Sequence, residues 1–575
     1  MKFVGLVSGG KDSIFNILHS IRQGHELIAL ANLYPSSGKD EIDSFMYQTV
    51  GHDVVSLYDK CTGLPLYRRE ISGLSENVQL EYSRTANDET EDLLELLKEV
   101  KENHPDVEGV SSGAILSNYQ RNRVEYCCSK LGLISLAWLW QMDQSELMGQ
   151  MCDVESMDAR IIKVAAFGLN IKHLGMKLQE IYPHLLSLND KFGIHVCGEG
   201  GEFETLVLDA PFFTEGYLEL VSQEMVDHGS EVWFLKMKVR FVERKKAVDD
   251  FSTVVAPPLL HGPFVEYPVD KFVSTQKPVH NQVLPLNLQS DEDHVFISNI
   301  SSQGETLERQ VLDVFVALST QLQKHGIEFS NIQSSILLLQ SMKDFAAINT
   351  IYSSYFTTPL PPARICVETN LARSTKLQLS VVALKSSKSG VHIQSRSYWA
   401  PCNIGPYSQA VSDSEGVTMI SGQIPLVPAS MAPSPQELEI GLSLQHFDSV
   451  KKLVAANKDQ AVICFIVDTA YIQSVLQCWK SYGGDEKRLI IVQVSSLPRG
   501  VGVEWGGYST KGQDGFLEVE FFEQTINTSD DYHYTVFHNP TQPIAIDIPF
   551  CSVPVLSVWK CATQVHAAAI KRYLL

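Results

Sequence analysis

The sequence predicts an α/β protein whose N-terminal part is built on a mainly parallel sheet and whose C-terminal part is α+β. Three observations carry this. An apolar, β-leaning run from Lys2 to Val7 enters Ser8-Gly9-Gly10-Lys11-Asp12-Ser13, and Ile14, Ile17, Leu18 and Ile21 then recur at helical spacing. Strand and helix patterns alternate through the following hundred or so residues, as in a parallel sheet covered by helices on both faces. From about residue 291 the pattern changes to an antiparallel alternation of strands and helices.

The opening strand, glycine turn and helix suit a phosphate. Adjacent glycines let backbone N–H groups approach a ligand, and a helix start presents unpaired N–H groups and a positive dipole end. Lys11 adds a point charge, Ser8 and Ser13 add hydroxyls, and Asp12 is the candidate ligand for Mg²⁺ accompanying a nucleotide. The Walker spacing is absent. The plainer alternative, a turn with its lysine in solvent, is weakened by the whole hexapeptide falling at the end of the first strand.

The second strand is expected over Glu26–Asn32, and a helix over Thr90–Glu102 from Leu93, Leu96, Leu97 and Val100. A short strand over 107–110 follows. Ser117, with Gln120 three residues on, should cap the next helix. Arg121 and Arg123 then oppose the helix dipole, which a bound anion would reverse; two solvated arginines are the alternative. An apolar strand from Ile194 is expected to enter the turn 198–205 (GEGGEFET), and an alternating strand to leave it. Glu199, Glu202 and Glu204 would repel one another there unless Mg²⁺, ammonium or a cationic substrate group lies between them, or water hydrates the turn.

Composition sets outer bounds. A chain of 575 residues should hold several domains, and 44% apolar with 20% charged residues is ordinary for globular protein. A net charge of −21 disfavours nonspecific nucleic-acid binding, which needs cationic neutralisation of phosphates. The eleven cysteines include no C-x-x-C pair, which argues for reduced thiols and against a zinc or iron–sulfur site. No secretory leader or membrane-length apolar run is read, so a cytoplasmic address without membrane attachment is expected.

S-G-G-K-D-S resembles the PP-loop of N-type ATP pyrophosphatases, which split ATP into AMP and pyrophosphate while adenylating an acceptor. Together with GAILSNYQR at 113–121 and GEGGEFETLVLDAP at 198–211, it resembles the diphthine–ammonia ligase family over residues 1 to about 240. Weaker support comes from 47–51, 63–67 and 136–140, where Trp138 stands at a position that the family more often fills with proline. The resemblance implies a Rossmann-like, HUP-type domain using ATP and Mg²⁺. It would amidate diphthine on translation elongation factor 2 with ammonium, through an acyl-adenylate. It implies nucleotide binding by Ser8, Gly9, Gly10, Lys11, Asp12 and Ser13; the residue types themselves make Lys11, Glu199, Glu202 and Glu204 the candidates for the chemistry and Tyr119, Arg121, Gly200 and Gly201 the candidates for substrate contacts.

Residues 241–290, rich in proline, read as a linker. Residues 291–388 resemble the RidA-like (YjgF-like, chorismate-mutase-like) family. Arg364 of Pro362-Ala363-Arg364 matches the family's carboxylate-binding arginine and Cys366 a site cysteine, while Gln378 replaces the usual glutamate. Residues 395–575 read as a second copy, from IGPYSQA at 404–410, SGQIP at 421–425 and LPRG at 497–500 with Glu504. One copy keeps Arg364, and the other keeps Tyr407 and Glu504. The two either complete one shared site or form an assembly module. The second is the expectation, with self-association through the tandem. A tRNA-modifying PP-loop enzyme, an imine deaminase and a noncatalytic scaffold for the elongation factor are the rival functions.

Overall fold

The computed structural model describes residues 1–35, 46, 51–229, 231–244, 252–269, 282–512, 516–523, 528–542, 546 and 548–574. Residues 47–50, and 245–251 and 270–281 of the expected linker, lie outside that set. The chain divides into two compact units, Met1–Pro257 with Gln394–Trp399, and Pro258–Ile393 with Ala400–Leu575.

In the first unit β1 (Lys2–Leu6), β2 (Glu26–Tyr34), β3 (Leu66–Glu70), β4 (Gly109–Ser111) and β5 (Ile134–Leu136) form a sheet ordered β3-β2-β1-β4-β5. Every pairing in it is parallel, as the strand–helix alternation requires. Helix α1 (Lys11–Arg22) follows β1 through Gly9, whose φ of 93° few other residues adopt. Helix α2 (Glu89–Asn103) is capped by the Asp88 carboxylate, which accepts from the Thr90 N–H. It buries Leu93, Leu96, Leu97 and Val100 against the sheet, worth roughly 1.5–3 kcal/mol for each large side chain. Helix α3 (Asn118–Leu131) starts at Ser117, whose hydroxyl accepts from the Gln120 N–H, and ends at Gly132 in the left-handed region.

The sequence reading missed a second, antiparallel sheet in this unit. It contains β6 (Asp158–Val164), β7 (Phe203–Asp209), β8 (Gly216–Gly229) and β9 (Val232–Glu243) in the order β7-β6-β9-β8. The strand expected at Ile194 is instead irregular backbone. Side chains take its donors in place of a ladder: the His195 N–H goes to Glu202 and the Val196 N–H to Gln144.

The second unit contains a topological repeat. Its first copy runs β10 (His294–Ser301), α4 (Leu307–Lys324), β11 (Ile332–Leu339), α5 (Phe345–Ser353), β12 (Ala363–Glu368) and β13 (Leu377–Leu384). The second runs β14 (Val417–Gln423), α6 (Glu439–Leu453), β15 (Lys458–Ile466), α7 (Ile472–Tyr482), β16 (Leu489–Gln493) and β17 (Val503–Thr510). The strands are ordered β10-β13-β11-β12 and β14-β17-β15-β16, so the two copies share one connectivity. Side-chain alternation divides β12 between two cores. Cys366 packs toward the helices of its own copy, while Ala363, Ile365 and Val367 join Met419, Ile463 and Ile490 of the other. Beyond Thr510, strands 517–522, 532–538, 551–554 and 567–573 form a further four-stranded sheet.

Candidate active site

The turn after β1, the loop between β4 and α3, and the acidic turn before β7 meet around a cleft of about 700 Å³. Its apolar wall includes Ala31 and Leu33 of β2 with Leu93 and Leu96 of α2; its polar wall includes Ser8, Lys11, Asp12, Ser13, Glu199, Glu204 and Thr205. The two sequence motifs are joined directly. The Lys11 backbone N–H donates to Thr205 Oγ1 at 3.0 Å, and Lys11 Nζ donates to the Cys197 carbonyl at 2.6 Å. Gly10 in the N-cap position provides no side-chain cap, and Thr205 takes the first N–H of α1 in its place while the positive end of the helix is directed at the cleft.

Lys11 is 2% exposed, which excludes the solvent-lysine reading. Burial works against its charge, but the Asp12 carboxylate 2.8 Å away, together with Cys197 and Glu199, outweighs this and leaves the amine's pKa raised. Lys11 is therefore a fixed cation. Glu199 is pushed above the usual carboxylate range, first by burial and then by Asp12, although its Oε2 accepts from the Leu116 N–H. Burial also drives the Cys197 thiol up to about 12, so it stays protonated.

The three glutamates do not form one repelling cluster. The two oxygens of Glu202 accept from the His195 and Gly200 N–H groups at 2.8 Å each, which braces the turn. Glu204 pairs with Lys163 Nζ at 3.0 Å, a partner the sequence reading did not find. Glu199 lines the cleft and has a raised pKa. Gly201 lines the cleft, while Gly200 and Glu202 are outside its lining. Tyr119 also lines it, but the Arg123 guanidinium lies 3.2 Å from its ring centroid. Arg121 is outside the lining and 2% exposed, with both Glu125 oxygens 2.8 Å from its Nη1. Neither arginine is a solvated surface charge.

Sequence reasoning also missed Thr205, His195 and Asn16. The Asn16 amide donates to Ser111 Oγ and the Leu136 carbonyl and accepts from the Trp138 N–H, locking α1 to β4 and β5. The only signal for it was a polar residue within the apolar face of a helix.

The family described as Diphthamide synthase N-terminal domain matches residues 1–135, and Diphthamide synthase C-terminal domain matches 143–248. A diphthine–ammonia ligase of Saccharomyces cerevisiae is 42% identical over 574 residues, covering 89% of this chain and 84% of that protein. This chain belongs to the diphthine–ammonia ligase family. A Schizosaccharomyces pombe ligase is 41% identical, covering 88% of this chain and 87% of its own. The Homo sapiens ligase is 49% identical but matches 42% of this chain and 91% of itself, so its match spans less than half of the present chain. Residues 297–384 match the family described as Endoribonuclease L-PSP. A solved Rid-family structure from Yersinia pestis is 28% identical, covering 22% of this chain and 99% of its own, with a TM-score of 0.20.

In the second unit the residues divided between the copies are adjacent. Arg364 Nη1 donates to Asn349 at 2.8 Å, and its guanidinium lies 5.2 Å from the Tyr407 ring centroid. Glu504, 2% exposed, senses the Arg364 charge. Arg364, Tyr407 and Glu504 are thus brought together across the two copies. Gln378 is engaged elsewhere, donating to Asn299 and the Ser552 carbonyl, and burial drives the Cys366 thiol up to about 12.

Proposed function

We propose that the first unit amidates the carboxylate of diphthine on elongation factor 2 with ammonium, at the expense of ATP. The observation that carries this reading is the pair of bonds from Lys11 to Thr205 and Cys197, which unites the phosphate loop and the acidic turn in one cleft. ATP takes its adenine toward Ala31 and Leu33 and its phosphates toward Ser8 to Ser13. Asp12, whose charge also raises the Glu199 pKa, is the carboxylate suited to Mg²⁺, which accepts one or two carboxylates and keeps its remaining waters, and this leaves Glu199 free of the ion. Such an ion would neutralise phosphate charge.

A diphthine carboxylate oxygen attacks the α-phosphorus, pyrophosphate leaves, and the acyl-adenylate carbonyl becomes open to ammonia. AMP departs as the amide forms. Lys11 holds phosphate oxygens in place throughout. Glu199, with its raised pKa, takes a proton from ammonium as general base. Within this reading residues 1–240, joined by 394–399, carry the chemistry, and residues 291–388 and the repeat over 417–510 are the RidA-like copies.

AMP release is expected to require both diphthine-bearing factor and ammonium, and Lys11→Ala is expected to lower it by at least about a hundredfold, given the weight of fixed electrostatic groups. Release that ignores the factor, or a fully active Lys11→Ala, would sink the reading. The Arg364–Tyr407–Glu504 cluster supports a second activity, ATP-independent hydrolysis of a reactive enamine or imine. That activity would persist in Lys11→Ala.

A further inference from the structure

Six residues from between the two C-terminal copies, Gln394–Trp399, belong to the first unit. We propose that this segment is a strap that positions the two helices framing the ATP cleft, so that the unit's binding site is complete only when the segment is seated.

The strap extends the parallel sheet. Arg396 bridges Leu136 in parallel register: its N–H donates to the Ser135 carbonyl and its carbonyl accepts from the Ala137 N–H, both at 2.9 Å. Residues 395 and 397 point inward and are 1% and 0% exposed, the two-residue period of an added strand. The surface beneath is built to receive it. Glu125 of α3, itself 2% exposed, accepts from the Gln394 N–H, the Ser395 N–H and Ser395 Oγ at 3.0, 2.8 and 2.6 Å, while Arg121 balances its charge. A buried carboxylate that takes three donors from one short segment is a binding determinant, because removing the segment strands those lone pairs. At the other end the Tyr398 hydroxyl lies 3.0 Å from both His19 Nδ1 of α1 and Nε2 of Gln23, the C-cap of that helix, and its ring leans on Trp138 at 5.1 Å.

These anchors connect with the cleft. The first turn of α3 gives it Tyr119 and Gln120, and α1 begins at Lys11. Strand β5, which the strap covers, holds the intervening loop through the Ser112 N–H to the Leu136 carbonyl, and holds α1 through Asn16. Strap, β5, α1 and α3 therefore form one hydrogen-bonded frame. Ser395 and Tyr398 are positioning residues, and neither lines the cleft.

The inference rests on the ligase reading only for the choice of ATP as probe. In the full chain, Arg396→Pro removes the donor to Ser135, and Ser395→Ala and Tyr398→Phe are milder variants in case the proline prevents folding. Hydrogen exchange at Ala137 is expected to rise about tenfold or more on strap release, with faster exchange at Lys11 and Ser112. The KM for ATP is expected to rise about three- to tenfold with kcat within about twofold, and Ser395→Thr should restore it. Faster exchange at Ala137 with Lys11, Ser112 and ATP affinity unchanged would reduce the strap to an edge cover and overturn the proposal. Unchanged exchange at Ala137 in Arg396→Pro would overturn it as well. A parent chain that binds no ATP would sink the nucleotide reading, yet exchange at Lys11 and Ser112 would still decide the strap.

Discussion

Two carboxylates illustrate how burial sets chemistry residue by residue. Glu199 has a backbone donor and a nearby lysine and is raised, whereas Glu504 has less relief. Its Oε2 has no hydrogen-bond partner among the described residues, and burial, only partly offset by Arg364, drives the carboxyl up to about 8. The folded protein therefore keeps a proton that the unfolded chain releases above its ordinary value of 4.5. Stability from this group is greatest below that value and declines as pH rises toward 8. At about 1.4 kcal/mol per unit of pKa, the decline is a measurable fraction of a domain's stability. Glu504→Gln should flatten it, as urea midpoints at about pH 5 and about pH 8 would report. A parent midpoint that falls no more steeply than the variant's would contradict this account.

Close approach between elements, rather than propensity, shapes the cleft. Gly113, at the exit of β4, lies so near the start of α1 that a Cβ there would come within 2.6 Å of both the Asp12 carbonyl carbon and the Ser13 nitrogen. Neither backbone atom can yield without moving the phosphate loop. Gly113→Ala is expected to cost about 1–3 kcal/mol by overpacking and to weaken ATP binding at least about tenfold. Calorimetric titration and thermal unfolding of the full chain would separate these effects. ATP affinity within about twofold of the parent would show that the loop tolerates displacement. The strand expected at Ile194 does not form, because side chains of Glu202 and Gln144 claim the donors that a ladder would need.

At the scale of the whole molecule, the duplicated C-terminal copies are joined by a polar network as well as by an apolar core. Arg572, in the last strand, donates to Asp413 of the second copy, to His294 of the first and to Gln333. Asp413 and Arg572 are 6% and 5% exposed. Breaking one side of a buried pair leaves an uncompensated charge, so Asp413→Ala should destabilise the chain by about 3–5 kcal/mol. Asp413→Ala with Arg572→Met should cost less than Asp413→Ala alone. Equal losses in urea unfolding of the single and double variants would show that packing, not charge, holds this junction.

The chain's local order was legible from its residues, because period, capping and glycine placement act over a few positions. The parallel N-terminal alternation, the Ser117 helix start and the strand–helix pattern after 291 all follow from such short-range rules. The hexapeptide at Ser8 and the acidic turn at Glu199 were legible as motifs. What each side chain does there depended on partners far along the sequence. Lys163 neutralises Glu204, Thr205 takes the Lys11 N–H, Glu125 engages Arg121, and Arg364 meets Tyr407 and Glu504 across two copies. The antiparallel sheet of β6 to β9 and the return of residues 394–399 to the first unit are likewise long-range pairings. A sheet edge accepts any extended segment that satisfies its donors and acceptors, so only the folded chain selects which segment that is.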